Sequence, residues 1–319
     1  MMNNPKILIT GATGFIGSHL TSKLLKKEYK VGIIKRKNSN LWRIKDILDK
    51  LTVYDTDISN TEKVMEVFSD FKPDIVIHLA TYYAVDHESY EIPLIINTNV
   101  TGILNLLEAS KENSVDLFIN TSSCFVYGVS DDKISEDDEL NPLNLYALSK
   151  IESEQACAFY SEKYGLKTIT FRVFPPYGPA DNPRKLIPFI IKNLLNNDLL
   201  EMTSGKQRWD FIYVEDVADA YIELIKNFDE LKDNDVFNLG TGKSTSIREV
   251  LNILNQFAGD YGEAVWGAIP HRENEVWNIC ADIKKAGKVF NWKPKTSIEN
   301  GLKLTYDWYE SFGSGDKNE

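Results

Sequence analysis

The run Gly11-Ala-Thr-Gly14-Phe-Ile-Gly17 follows the apolar stretch Ile7-Leu8-Ile9 and leads into a helix-like segment, Ser18 to Lys27. A strand, a glycine turn and a helix in that order make a cradle for a phosphate at the helix start. Gly11 stands where the chain turns sharply out of the strand and needs freedom in φ. Gly14 lets the backbone approach a pyrophosphate, and Gly17 lets the helix pack close to the strand. A glycine turn alone is a weak signal, since turns in every fold use glycine. Its place between a strand and a helix gives it weight.

The rest of the first half agrees with that start. Strands are predicted over Lys6–Thr10, Lys30–Lys35, Leu51–Tyr54, Ile75–Ala80, Leu117–Thr121 and Lys167–Phe171. Helices are predicted over Phe15–Lys27, Thr61–Phe71, Pro93–Asn113 and Tyr146–Tyr164. This alternation predicts an α/β fold, a Rossmann-type doubly wound parallel sheet with right-handed crossovers. After Phe174 the pattern loosens, and Pro175-Pro176-Tyr-Gly-Pro179 is expected to be irregular. Ile187–Asn196 reads as a helix. Phe211–Val214, the helix-like Asp216–Asn227 and Val236–Leu239 are expected to return to the first sheet. The expected organisation is a nucleotide domain over 1–174 and 211–240, with a smaller α+β substrate domain over 175–210 and 241–319. The tail Gly313–Glu319 is expected to be disordered.

Composition narrows the partners. A net charge of −11 leaves no broad basic surface, which argues against nucleic acid. Cys124, Cys157 and Cys280 are odd in number and far apart, as in a reducing compartment. His19, His78, His87 and His271 show no metal-ligand spacing. The first apolar run is too short for a signal peptide or a membrane span, so a cytoplasmic protein without a membrane partner is expected.

Tyr146 and Lys150 lie one helical turn apart and point the same way. A tyrosine phenol has a free pKa of about 10. A neighbouring ammonium is expected to favour phenolate and bring the group toward proton exchange. Ser123, at the end of a predicted strand, can hydrogen-bond the same substrate oxygen. Tyr-x-x-x-Lys alone is common in helices. The order of cradle, serine, then tyrosine and lysine points to redox chemistry on an alcohol or ketone.

With these residues in view, the chain resembles the extended short-chain dehydrogenase/reductase family in its nucleotide-sugar branch. The resemblance runs from Ile7 to about Trp308. It rests on the glycine run, Asp57-Ile58, His78-Leu-Ala80, Asn99, Thr121-Ser-Ser-Cys-Phe-Val-Tyr-Gly128 and Tyr146-Ala-Leu-Ser-Lys150. Arg172-Val-Phe174, Tyr177-Gly-Pro179 and Asp210-Phe-Ile-Tyr-Val-Glu-Asp216 extend it. It implies catalysis by Ser123, Tyr146 and Lys150. It implies cofactor contacts at Gly11, Thr13, Gly14, Phe15, Ile16, Gly17, Leu79, Ala80, Thr81, Asn99 and Thr121 as well as Tyr146 and Lys150. Asp57 would meet the adenine amine, with Ile58 beside the ring. It also implies a homodimer built through Pro93–Asn113 and Tyr146–Tyr164. His271-Arg-Glu-Asn-Glu275 with Trp292-Lys-Pro294 resembles the tail of CDP-4-keto-dideoxyhexose reductases, the abequose and paratose synthases.

Cofactor choice can be argued from charge. The second strand ends Ile34-Lys35-Arg36-Lys37, with no acid before Asp46 to take ribose hydroxyls. Lys35 and Arg36 suit a 2′-phosphate, so NADP(H) is expected rather than NAD. On the substrate side, Arg208 and Arg272 are candidate clamps for a nucleotide-sugar diphosphate. The relatives' usual Arg before Asp-Phe is Trp209 here, with Arg208 one place earlier. Tyr82, Tyr83, His87, Ser123, Cys124 and Phe125 are candidate sugar contacts. Three readings follow. One is NADPH-dependent reduction of the C4 ketone of a nucleotide-linked 4-keto-6-deoxy or 3,6-dideoxy sugar, with Tyr146 as proton donor. The second is a 4-epimerase with retained NAD. The third is a cofactor-binding sensor without turnover. A 4,6-dehydratase would need an acid–base pair where Cys124 and Phe125 stand.

Overall fold

β-Branched and aliphatic runs that are buried on both faces make strands of a parallel sheet, and six of them come first in the chain. They are β1 (Lys6–Thr10), β2 (Lys30–Lys35), β3 (Thr52–Asp55), β4 (Ile75–His78), β5 (Leu117–Ser123) and β6 (Thr168–Val173). A seventh strand, Asp235–Leu239, pairs with β6. Across the sheet the order is Asp235–Leu239, β6, β5, β4, β1, β2, β3, and every neighbouring pair is parallel. The computed structural model describes residues 5–130, 132–259, 264–272 and 275–312. The tail at 313–319 and residues 273–274 of the His271 motif lie outside the described residues.

Alternation along β1 sorts its side chains between two cores. Ile7 and Ile9 pack with Leu20 and Leu24 of α1 (Phe15–Lys26) and with Val217 and Tyr221 of the helix Val214–Asn227. Leu8 faces the other way, against α2 (Thr61–Phe71), α4 (Gly102–Glu112) and α5 (Leu145–Tyr164), through Phe68, Leu106 and Cys157. The strand order turns outward in both directions from the β1–β4 pair. A crevice therefore opens past the carboxyl ends of these strands, where a sheet of this topology binds ligands.

Three expectations change. The predicted helix Pro93–Asn113 is a composite of α3 (Ile92–Ile96), a π-helical turn at Asn97–Thr101, and α4. Gly102 sits where a Cβ would lie 2.6 Å from Ile58 Cδ1, so the helix approaches the connection after β3 closely just past that wide turn. Pro176–Tyr177, expected to be irregular, is a short strand paired in parallel with Ile212–Tyr213. Phe211–Val214 consequently adds no strand to the first sheet, while the helix Val214–Asn227 packs against it and Asp235–Leu239 pairs within it, as expected. Tyr177, Phe211 and Tyr213 instead join a separate core with Ile190, Leu194, Val250, Leu254 and Leu302. The helices Leu186–Asn196, Ile247–Ala258 and Ile298–Phe312 enclose it.

Candidate active site

Gly11 has φ +75°, and a Cβ there would lie 2.6 Å from the Ala80 nitrogen. A Cβ on Gly17 would lie 2.1 Å from the Gly11 oxygen. The turn closes through Gly14 N–H donating to Gly11 O at 3.0 Å. Gly14 is the cap of α1 and offers no side chain to its first N–H groups. Those donors and the helix dipole are left for an anion. Such a cradle fits the pyrophosphate of a dinucleotide.

The cradle opens into one cleft of about 790 Å³. Its lining includes Gly11, Thr13, Gly14, Phe15, Ile16 and Gly17, then Lys35 and Arg36 after β2, and Asp57 and Ile58 after β3. Leu79, Ala80, Thr81, Tyr82 and Tyr83 follow β4, and Thr121, Ser123, Cys124 and Phe125 come from the end of β5 and beyond. Tyr146 and Lys150 enter from the first two turns of α5, and Arg272 closes the far side. Asn144 starts that helix by accepting from Ala147 N–H at 2.8 Å.

Tyr146, Lys150 and Ser123 are all buried. Lys150 Nζ donates to Thr121 O at 2.8 Å and lies 5.9 Å from the centre of the Tyr146 ring. The expected lowering of the phenol is not what the site shows. Burial pushes the Tyr146 pKa above its ordinary value, the Tyr83 hydroxyl adds to this, and a hydrogen bond with Ser123 opposes it. Burial also lowers Lys150 to about 8, against the pull of Glu154. Desolvation is the largest cause at both groups. Tyr83 packs edge-on to Tyr146, ring centres 4.9 Å apart. Burial raises the Cys124 thiol, so it stays protonated.

Other predicted residues fall elsewhere. Asn99 does not line the cleft. It is buried in the π-helical turn, accepts from Tyr82 N–H at 2.7 Å and Thr81 Oγ1 at 3.1 Å, and donates to Tyr82 O and Ser149 Oγ. It braces the loop after β4. Arg208 is also out of the cleft: it pairs with Glu249 at 3.0 Å and donates to Ser244 O at 2.9 Å. Neighbouring residues of a strand point to opposite faces, and here Trp209 takes the cleft side. His87 is exposed on the loop and outside the lining. Lys35 lines the cleft but is tied to Asp55, its register partner on β3. No carboxylate pairs with Arg36 among the described residues. Among the described residues no cluster of His, Cys, Asp or Glu could hold a metal ion.

Sequence reasoning missed Arg43, Asp181, Arg184, Lys185, Trp209 and Phe211, all in the lining. The adjacent charges Arg184-Lys185 after a proline-rich stretch were a usable signal. Arg43 carried none, because its place depends on a turn 137 residues away.

Residues 7–240 match the NAD dependent epimerase/dehydratase family. A UDP-glucuronate 4-epimerase of Thermodesulfobacterium geofontis is 32% identical over 313 residues, covering 94% of this chain and 95% of the relative. A CDP-abequose synthase of Salmonella muenchen is 29% identical over 305 residues, with 94% and 96% covered. Among solved structures, a UDP-glucuronic acid 4-epimerase from Bacillus cereus in complex with UDP-glucuronic acid and NAD superposes with a TM-score of 0.85. It is 29% identical, with 96% of this chain and 99% of that one covered.

Proposed function

Because the chain belongs to the NAD dependent epimerase/dehydratase family, we propose that it is an NADPH-dependent reductase of the C4 ketone of a nucleotide-linked 4-keto-6-deoxy or 3,6-dideoxy sugar. It is an enzyme of nucleotide-sugar metabolism that works with a nicotinamide dinucleotide. Residues 1–174 and 211–240 hold the cofactor in this reading, and 175–210 and 241–319 the sugar nucleotide. The dinucleotide, when bound, supplies the hydride. Tyr146, kept protonated by burial, gives its proton to the ketone oxygen. Ser123 hydrogen-bonds that oxygen and fixes its direction. Lys150, anchored on Thr121 O, holds positive charge where negative charge develops on the phenol. Cys124 and Phe125 offer no acid–base pair for dehydration.

The observation that carries the choice is Arg36, a cation of the cleft at the end of β2 without a carboxylate partner among the described residues. It suits a 2′-phosphate. An NADPH-selective enzyme that exchanges its cofactor performs net reduction. The second reading, a 4-epimerase with retained NAD, is supported by the pairing of Lys35 with Asp55, which leaves one cation there instead of two. The test is incubation with NADPH and a panel of CDP-, dTDP-, GDP- and UDP-linked 4-keto sugars, following loss of reduced-nicotinamide absorbance. Consumption with at least one sugar is expected. Tightly bound NAD with interconversion of 4-hydroxy epimers would overturn the reductase in favour of the epimerase.

A homodimer belongs to the same proposal. The helical run Ser89–Glu112 is long and apolar enough by composition to cross a membrane, and less than half of its most apolar stretch is buried within the chain. Leu94 and Leu104 on it, and Leu148 and Phe159 on α5, are exposed. A second copy of the chain would cover them, and sedimentation equilibrium would show a dimer.

A further inference from the structure

Three consecutive backbone carbonyls are each held by a side chain from a different element. Pro179 O bonds His19 Nε2 at 2.9 Å, Ala180 O accepts from Arg43 Nε at 2.8 Å, and Asp181 O accepts from the Tyr309 hydroxyl at 2.8 Å. His19 comes from α1, Arg43 from the connection between β2 and β3, and Tyr309 from the helix Ile298–Phe312. Ala180 itself has φ +63°, a conformation that a residue with a Cβ rarely adopts. Such strain persists where the surroundings over-determine it.

The tethers are braced in turn. The other ring nitrogen of His19 meets Glu215 Oε1 at 2.5 Å. The Arg43 guanidinium lies 4.4 Å over the Trp42 ring, and Trp42 packs on Trp308, centres 6.4 Å apart. Trp308 stands edge-on to Tyr309 at 4.8 Å.

The segment held this way, residues 179–185, borders the cleft. Asp181, Asn182, Arg184 and Lys185 line it together with the cradle. Lys185 Nζ is 5.6 Å from the centre of the Phe15 ring in the first turn of α1. It is also 5.8 Å from the centre of the Tyr83 ring, which leans on Tyr146. One side chain thus spans the phosphate end and the catalytic end. A 3.5 Å contact with the buried Asp181 carboxylate keeps it there.

We propose that residues 179–185 are a strap over the bound dinucleotide, and that His19 and Tyr309 are positioning residues whose bonds to its carbonyls set how fast the dinucleotide leaves. Neither residue is in the cleft lining. An effect of Tyr309 on release therefore passes through the strap, whereas His19 also stands edge-on to Phe15 of the cradle, ring centres 5.6 Å apart. The inference rests on the dinucleotide-site reading, and its consequence is largest for a reductase, which must release spent cofactor in every cycle.

The decisive experiment uses the full chain loaded with NADPH and, in parallel, with NADH, chased with excess oxidised nucleotide while nicotinamide fluorescence decays. Tyr309→Phe keeps the ring against Trp308 and removes only the hydroxyl. Release about fivefold faster is expected, the weight of one net hydrogen bond. His19→Ala should speed release similarly, and His19→Gln, which retains a donor for Pro179 O, should speed it less. A purely structural role would lower the melting temperature without this graded effect on release. Wild-type release rates in Tyr309→Phe, with either nucleotide, overturn the strap, and that variant decides alone should His19→Ala not fold. Tighter binding of NADH overturns the NADPH assignment and leaves the strap standing.

Discussion

The two ends of the cleft are built from different materials. At the proposed dinucleotide end much of the lining is backbone, the turn at Gly11, the open start of α1 and the ends of four parallel strands, with Arg36 as the charged side chain beside it. Their positions follow from sheet register. At the proposed sugar end they are side chains from separate stretches, Trp209 and Phe211, and Arg272. Their directions follow from how a second core packs. Backbone sites tolerate changes of side chain and reject an added Cβ. Side-chain sites do the reverse, so one scaffold can keep its cofactor and change its sugar.

The largest expected effect lies where the two ends meet. Tyr146→Phe removes the proton donor and no part of the cradle. Turnover should fall by about 10²–10⁴-fold, the usual weight of positioned acid–base catalysis. NADPH affinity should stay near wild type. Single-turnover kinetics beside a binding titration check both. Equal loss of binding and turnover would mean that the phenol belongs to the dinucleotide end and that the two ends are not separate.

Lys150 offers the next test, through pH. Its amine falls from 10.5 to about 8 because the chain buries it. Between those values the folded chain binds fewer protons than the unfolded one, so stability rises with pH across this window. The cost below pH 8 is about 3 kcal/mol for a buried lysine shifted this far. Lys150→Met should be more stable than wild type near neutral pH, with the gap closing toward pH 10 in the cofactor-free protein. Chemical denaturation at several pH values measures it. A constant gap would mean that the amine is solvated.

What could be read in advance follows the same division. β1 and α2 appear with the bounds that apolar spacing predicts, because their burial is decided by local alternation. Ser123, Tyr146 and Lys150 meet in one cleft because strand, loop and helix follow each other in order. The strand Pro176–Tyr177 was hidden, since its two residues pair with others 36 positions on. The π-helical turn was hidden too, because it accompanies a close contact between Gly102 and Ile58. Arg208 and Trp209 show the limit most clearly. Alternation says that they face opposite ways, and only the packed neighbours decide which one faces the ligand.

A smaller effect separates the cofactors. Arg36→Ala should weaken NADPH about tenfold more than NADH, the scale of one partly screened cation on a phosphate. Lys35→Ala should do less, because Asp55 already takes its charge. Paired titrations with the two nucleotides decide. Equal losses for both would make Arg36 a surface charge and move the balance toward the NAD-retaining epimerase.

The smallest effect is expected at Arg208, and its smallness is informative. Its side chain is 46% exposed, bonds Ser244 O and pairs with the half-exposed Glu249. A solvated pair of this kind contributes about 0–1 kcal/mol. Since Arg208 lies outside the cleft lining, Arg208→Ala should leave the KM for the sugar nucleotide nearly unchanged. Arg272→Ala, in the lining and only 3.8 Å from an exposed Asp86, should raise it more. Steady-state kinetics on the two variants rank them. A larger rise from Arg208 would require that strand to turn over when sugar binds, carrying the arginine into the cleft in place of Trp209. The sugar end would then be assembled by its ligand, while the dinucleotide end is ready before the ligand arrives.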